Sequence, residues 1–281
     1  MSTQAQVDTL REEGEQGSDR VLASFSEKGG VGKSALVAGV AAAARKRGES
    51  VLVGDLDPRA SLTEEMGLNP EAVEYTVNDL LNVDITKPAV DPRGLAADII
   101  TAASEAWGVD VLAAQRALAH RETDNTSTDQ RLRLALQGVS RRYRRTVLDV
   151  PPRAGGKLVV AALTAATHVF IPATLDADGR KGAQQAMLTI GHVRASNNPD
   201  LVVIAIVPSI VPNPRTAIAK EIEGLLIEEF GDLYRKDLAI PRHAIRQTTR
   251  HAQVPVTAVT DKEAVSLTSA YGRLLDAWDA A

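Results

Sequence analysis

The chain has 281 residues and no cysteine. That excludes disulfides and thiolate-held iron–sulfur clusters, and it suits a reducing compartment. Aromatic residues make up only 3% of the chain, so its core must be built from Ala, Val, Leu and Ile. No apolar run approaches the roughly 20 residues that a membrane-spanning helix needs. An excess of basic charge is missing too. The net charge is −4, so any hold on nucleic acid has to come from a local patch rather than a global field. Residues 1–20 are polar and acidic, without the apolar core of a signal segment. They read as a flexible tail, too short for a helix-turn-helix unit. The remainder, 21–281, reads as a single domain, with the 44% apolar and 24% charged content of an ordinary globular protein.

What the chain does have is the stretch Glu27-Lys28-Gly29-Gly30-Val31-Gly32-Lys33-Ser34. An apolar run at 21–25 precedes it and an Ala-rich helical segment at 35–44 follows. A glycine-rich turn between strand and helix lets successive N–H groups point inward and cradle an anion at the helix N-terminus. Lys33 then places a point charge on terminal phosphates, and the Ser34 hydroxyl can ligate magnesium. The usual phosphate-loop pattern has glycine where Glu27 stands, and a second lysine, Lys28, lies inside the loop.

Further strands are expected at 51–55, 109–113, 145–150, 167–172, 201–208 and 236–240. Helices are expected at 62–66, across most of 71–106, and at 129–139, 156–165, 179–195, 214–230 (with Pro214 in the first turn) and 262–278. A polar loop is expected at 120–129. Alternating strands and helices imply an α/β fold, a mainly parallel sheet with helices on both faces. Asp149 ends a hydrophobic strand, where a carboxylate can hold a magnesium-bound water. Asp57 follows the strand at 51–55, at the edge where ligands bind in open parallel sheets.

The run Lys28-Gly29-Gly30-Val31-Gly32-Lys33-Ser34 resembles the deviant Walker A motif of the ParA/MinD family of P-loop ATPases. Asp55-Leu56-Asp57-Pro58 resembles that family's D-x-D-P switch, and Asp149-Val150-Pro151-Pro152 its D-x-P-P strand end. Pro214-Arg215-Thr216, Ile240-Pro241-Arg242 and Gln253-Val254-Pro255-Val256 continue the pattern in order. The resemblance implies ATP and Mg2+ as cofactors. It implies that Lys28 reaches the nucleotide of a partner across an ATP-sandwiched homodimer, that Asp57 orients the attacking water and touches the magnesium shell, and that Asp55 supports the loop. It implies that Pro241 packs beside the adenine. Two positions depart from the pattern: Ala35 replaces a second hydroxyl, and Arg59 stands where glutamine is usual.

Within that class the expectation is a ParA-type partition ATPase, cytoplasmic and nucleoid-associated. Its ATP dimer would bind DNA non-specifically and let go when a ParB-type centromere-binding partner stimulates slow hydrolysis. The alternatives are a MinD-like or protein-cargo-positioning ATPase and a metabolic P-loop phosphotransferase. Against membrane binding, the amphipathic helix at 262–278 carries Asp261, Glu263, Asp276 and Asp279 where a lipid-surface helix carries Lys and Arg. In favour of DNA, Arg235, Lys236, Arg242, Arg246 and Arg250 cluster with a single acid, Asp237, in their window. A second cluster, Arg141, Arg142, Arg144 and Arg145, reads as a complement to a helix dipole.

Overall fold

The computed structural model describes residues 19–82, 91–124 and 129–281. Strand β1, Val21–Ser24, runs through the phosphate-loop segment into helix α1, Lys33–Lys46, and returns through β2, Val51–Asp55. Short helices α2, Ser61–Glu65, and α3, Val77–Leu81, precede β3, Ile100–Ala102, and β4, Asp110–Leu112. Then come α4 (Arg131–Leu136), β5 (Arg145–Asp149), α5 (Lys157–Ala165), β6 (His168–Ala173), α6 (Ala177–Ser196) and β7 (Val202–Pro208). Helices α7, Ala217–Phe230, α8, Ile245–His251, and α9, Lys262–Ala280, complete the chain.

The seven strands lie in the order β3-β4-β2-β5-β1-β6-β7. All neighbours are parallel except β3, which runs antiparallel to β4 at one edge. Parallel strands need crossover connections, and the helices that supply them cover both faces. The register sets Asp55 and Ser24 each opposite Asp149, so β2, β5 and β1 finish level at their C-terminal ends. The candidate site residues gather along that line.

One face of the sheet is covered by α1 and α9, the other mainly by α4, α5 and α6. The alanines of α1 permit close approach: a Cβ on Gly39 would lie 2.3 Å from the Tyr271 ring of α9. The apolar stripe of α9, from Ala264 through Leu267, Tyr271, Leu274 and Leu275 to Trp278, is buried in this contact.

Three expectations are corrected. Across 71–106 the described residues hold only the five-residue α3, a 3₁₀ turn at Leu95–Ile99 and strand β3. Apolar spacing alone does not separate short edge strands from helix, and the left-handed Gly94 breaks any continuous run. Residues 83–90 lie outside the described residues. Segment 236–240 contains a 3₁₀ turn, Lys236–Leu238, rather than a strand. Its flanks form only isolated bridges, Tyr234 to Ile206 of β7 and Pro241 to Val211 beyond the end of β7, and proline has no N–H to extend a ladder. Helix α7 starts after Pro214: Thr216 caps it, its hydroxyl accepting the Ala219 N–H at 3.1 Å. In the loop at 120–129, a 3₁₀ turn, Arg116–Glu122, occupies the first residues and 125–128 lie outside the described residues. The tail at 1–20 falls outside them up to residue 18.

Candidate functional site

Gly30 and Gly32 adopt φ of 79° and 88°, the left-handed region open to glycine, and bend the loop between β1 and α1. At Gly32 the space is also filled, because a Cβ there would meet Ser209 Oγ at 2.8 Å. Gly29 is exposed and Val31 buried, while Ala35 is half-buried in the first turn of α1. Lys33, the first residue of α1, is buried and donates through Nζ to the Lys28 carbonyl at 3.0 Å. Burial pulls its ammonium down to about 8, against the opposing pull of Asp149 and Asp57. A buried ammonium facing a cradle of backbone N–H groups is a receptor for a polyanion.

Lys28 points the other way. Its Nζ lies 2.6 Å from Asp178 in the first turn of α6, and that contact holds the Asp178 carboxyl below its ordinary range. Helix α6 reaches the loop because Gly182 lacks a side chain: a Cβ there would sit 2.7 Å from Lys28 Cβ. Sequence reading missed Asp178 and Gly182, whose signal was the pair of small residues, Gly179 and Gly182, three apart at a helix start.

The acids divide the work. Asp55 is fully buried and accepts three hydrogen bonds, from the Asp57 N–H at 3.0 Å and from the Thr63 N–H and hydroxyl at 2.9 and 2.8 Å. Burial pushes its carboxyl up to about 6 against those bonds. Its geometry is that of a loop brace. Burial, together with Asp55 and Asp57, also pushes the Asp149 carboxyl well above its usual range, while Ser34 and Lys33 pull it down. Asp149 is met by the Ser34 hydroxyl, yet its Oδ1 is buried with no hydrogen-bond partner among the described residues.

That orphaned oxygen beside Ser34 fits a hydrated magnesium ion, whose waters are donors. No group of three or more His, Cys, Asp or Glu among the described residues forms a protein-only metal cage. A magnesium held by one hydroxyl, substrate oxygens and water needs none. Asp57 also lies at this edge, its carboxylate paired with Arg59 at 2.8 Å. Pro241 sits beside the end of β7, fixed by the Ile240 N–H to Pro208 and the Arg242 N–H to Val211, both 2.8 Å.

The basic cluster is not a uniform patch. Arg242 is exposed, and Arg250 is 54% exposed with its Nε 3.9 Å from Glu65. Arg235 pairs with Asp237 at 2.6 Å, and Lys236 approaches Glu223 at 3.4 Å. Arg246 is corrected as a DNA contact. It turns inward to Glu65 at 2.8 Å and bonds Tyr271, so its charge is spent inside the protein. In the second cluster Arg145 is likewise buried, paired with Glu49 and Asp279 at 2.6 and 2.7 Å, and it stacks on Trp278 at 4.9 Å. Among the described residues no helix is long and apolar enough to cross a membrane.

A family model described as an AAA domain matches residues 19–203. The chain is 30% identical over 228 residues to the chromosome partitioning protein ParA of Caulobacter vibrioides, covering 80% of this chain and 81% of that protein. It is 30% identical over 227 residues to the sporulation initiation inhibitor protein Soj of Bacillus subtilis, covering 80% and 85%. Among solved structures it is similar to cobyrinic acid a,c-diamide synthase from Mycobacterium smegmatis with bound ADP and magnesium. That match has a TM-score of 0.73 and 27% identity over 92% of this chain and 95% of that one.

Proposed function

The chain belongs to the ParA-type P-loop ATPases, and we propose that residues 21–281 act as one ATP-switched unit of a DNA-partition system. The single observation that carries this reading is the pair of lysines in one loop, with Lys33 buried at the cradle and Lys28 on its outer side against α6. In this reading the outward-facing Lys28 serves the phosphate site of a second copy.

In this reading Lys33 and the N–H groups of 29–34 bind the triphosphate, and Pro241 flanks the base. Ser34 and Asp149 hold the magnesium, with Asp57 at its water shell. When bound, the metal neutralises charge on the transferring phosphate oxygens. Asp55 braces the loop so that Asp57 can orient the hydrolytic water, and Lys28 from the second copy stabilises charge that develops in transfer. Losing the second hydroxyl at Ala35 costs about 0.5–1.5 kcal/mol of nucleotide affinity, a weakening and not a loss.

Hydrolysis is slow until a ParB-type partner stimulates it, and the ATP-bound homodimer holds DNA through exposed cations near α8, with Arg242 and Arg250 foremost. The MinD-like reading is disfavoured by α9, whose apolar face is already buried against α1. Light scattering of an Asp57→Ala variant with ATP and magnesium tests the reading: a dimer is expected, and a monomer at saturating ATP overturns it. Rapid turnover by the isolated chain, raised further by a small-molecule acceptor, would favour a metabolic transferase instead.

A further inference from the structure

Asp57 and Arg59 form a clasp within a single turn. The Asp57 carboxylate accepts the Arg59 backbone N–H at 3.0 Å, while the guanidinium Nε lies 3.3 Å from both oxygens and Nη2 2.8 Å from Oδ2. The two ends of the clasp differ in exposure. The Asp57 side chain is 10% exposed and that of Arg59 68%. Pro58 fixes its own φ, and the Ala60 N–H closes the turn on the Asp57 carbonyl at 2.8 Å. The backbone therefore positions the carboxylate, and the guanidinium can swing into solvent without loss of the turn.

Each side-chain donor of Arg59 occupies an oxygen that a hydrolytic water would need as its acceptor. We propose that Arg59 is a positioning residue, a latch that restrains Asp57 until anionic phosphate groups at the mouth of the site draw the guanidinium away. The same planar fork fits carboxylate and phosphate alike, so a phosphate is the chemistry for which an arginine leaves an aspartate. The proposal rests on the reading of Asp57 as the water-orienting acid. A pair this exposed on one side is worth at most a factor of about five in an equilibrium, so the latch slows turnover without blocking it.

Arg59→Gln and Arg59→Lys both keep the backbone N–H that shapes the turn. With ATP and magnesium, kcat of the isolated Arg59→Gln protein should rise, by up to about fivefold, with KM unchanged. Arg59→Lys should fall between, because a point charge lacks the fork. A second readout needs no turnover. Urea unfolding of Arg59→Gln, Asp57→Asn and the double variant without nucleotide should be non-additive, and the non-additivity should shrink but persist with a non-hydrolysable ATP analogue and magnesium, because phosphate opens the latch in only part of the bound population. Additive unfolding without nucleotide, or a kcat unchanged or lowered in Arg59→Gln, overturns the latch. If neither the parent chain nor any variant hydrolyses ATP, the ATPase reading itself fails, and the unfolding cycle alone decides whether the clasp exists.

Discussion

Arg246 and Glu65 face each other at 2.8 Å beneath the surface, with side-chain exposures of 16% and 2%. Glu65 ends α2, the helix that follows the Asp57 turn, and Arg246 belongs to α8, so this pair ties the switch segment to the C-terminal part of the chain. Removing Arg246 leaves the buried Glu65 carboxylate only the more distant Arg250, 3.9 Å away. Arg246→Met is therefore expected to destabilise the fold by roughly 3 kcal/mol, read from urea midpoints, and adding Glu65→Gln to recover part of the loss. A single variant within about 1 kcal/mol of the parent would show that the pair is solvated.

The DNA surface is tested through salt. Each phosphate neutralised contributes roughly −0.9 to the slope of log affinity against log salt. In an ATP-bound dimer, Arg242→Ala or Arg250→Ala should each flatten that slope by about 2, with no change of sequence preference. An unchanged slope in both would move the surface to the exposed Arg142 and the half-buried Arg144.

Lys33 gives nucleotide binding a pH signature. Its free ammonium titrates at about 8 because burial disfavours the charge, and phosphate restores the charge by raising that value. Binding above pH 8 should therefore take up a proton, and affinity should fall as pH rises. Calorimetry in two buffers of different ionisation enthalpy measures the uptake directly. The same depression acts on stability without nucleotide. The unfolded chain holds its proton up to about 10.4, so stability from this group is full above that pH and is lost as pH falls through 8. Lys33→Ala should abolish both effects together with binding.

Gly30 and Gly32 separate backbone strain from crowding. Both have positive φ, but a Cβ at Gly30 meets nothing within 4 Å, whereas one at Gly32 meets Ser209 Oγ at 2.8 Å. Gly30→Ala should cost about 1–2 kcal/mol from the left-handed backbone alone. Gly32→Ala should cost more and should also weaken ATP binding, by thermal unfolding and fluorescent-nucleotide titration. Equal losses in the two variants would mean that Ser209 moves aside freely.

What was legible in the sequence was local. Strands ending in Asp55 and Asp149, the glycine turn and the buried stripe of α9 each announce themselves within a few residues, because backbone geometry and burial act over that range. The pairings that give the charges their roles do not. Lys28 meets Asp178 150 positions away, and Arg246 meets Glu65 181 positions away. Arginines four apart at 242, 246 and 250 suggest one basic face, but only the packing of α8 on α2 shows that the middle one turns inward. The edge strand β3 hid for another reason: three residues are too few for a period.

The contact between Lys28 and Asp178 makes the chain a competitor for its own lysine. If a second copy needs that residue, Asp178 sets the concentration at which half the molecules are paired. It does not decide whether pairing occurs, because a solvent-exposed ion pair is weak and screened by salt. A two-fold symmetric assembly must open this contact in both copies, so its penalty enters the association constant squared. Assembly would then switch on over a threshold in the amount of protein present, and Asp178→Asn would lower that threshold without touching the nucleotide.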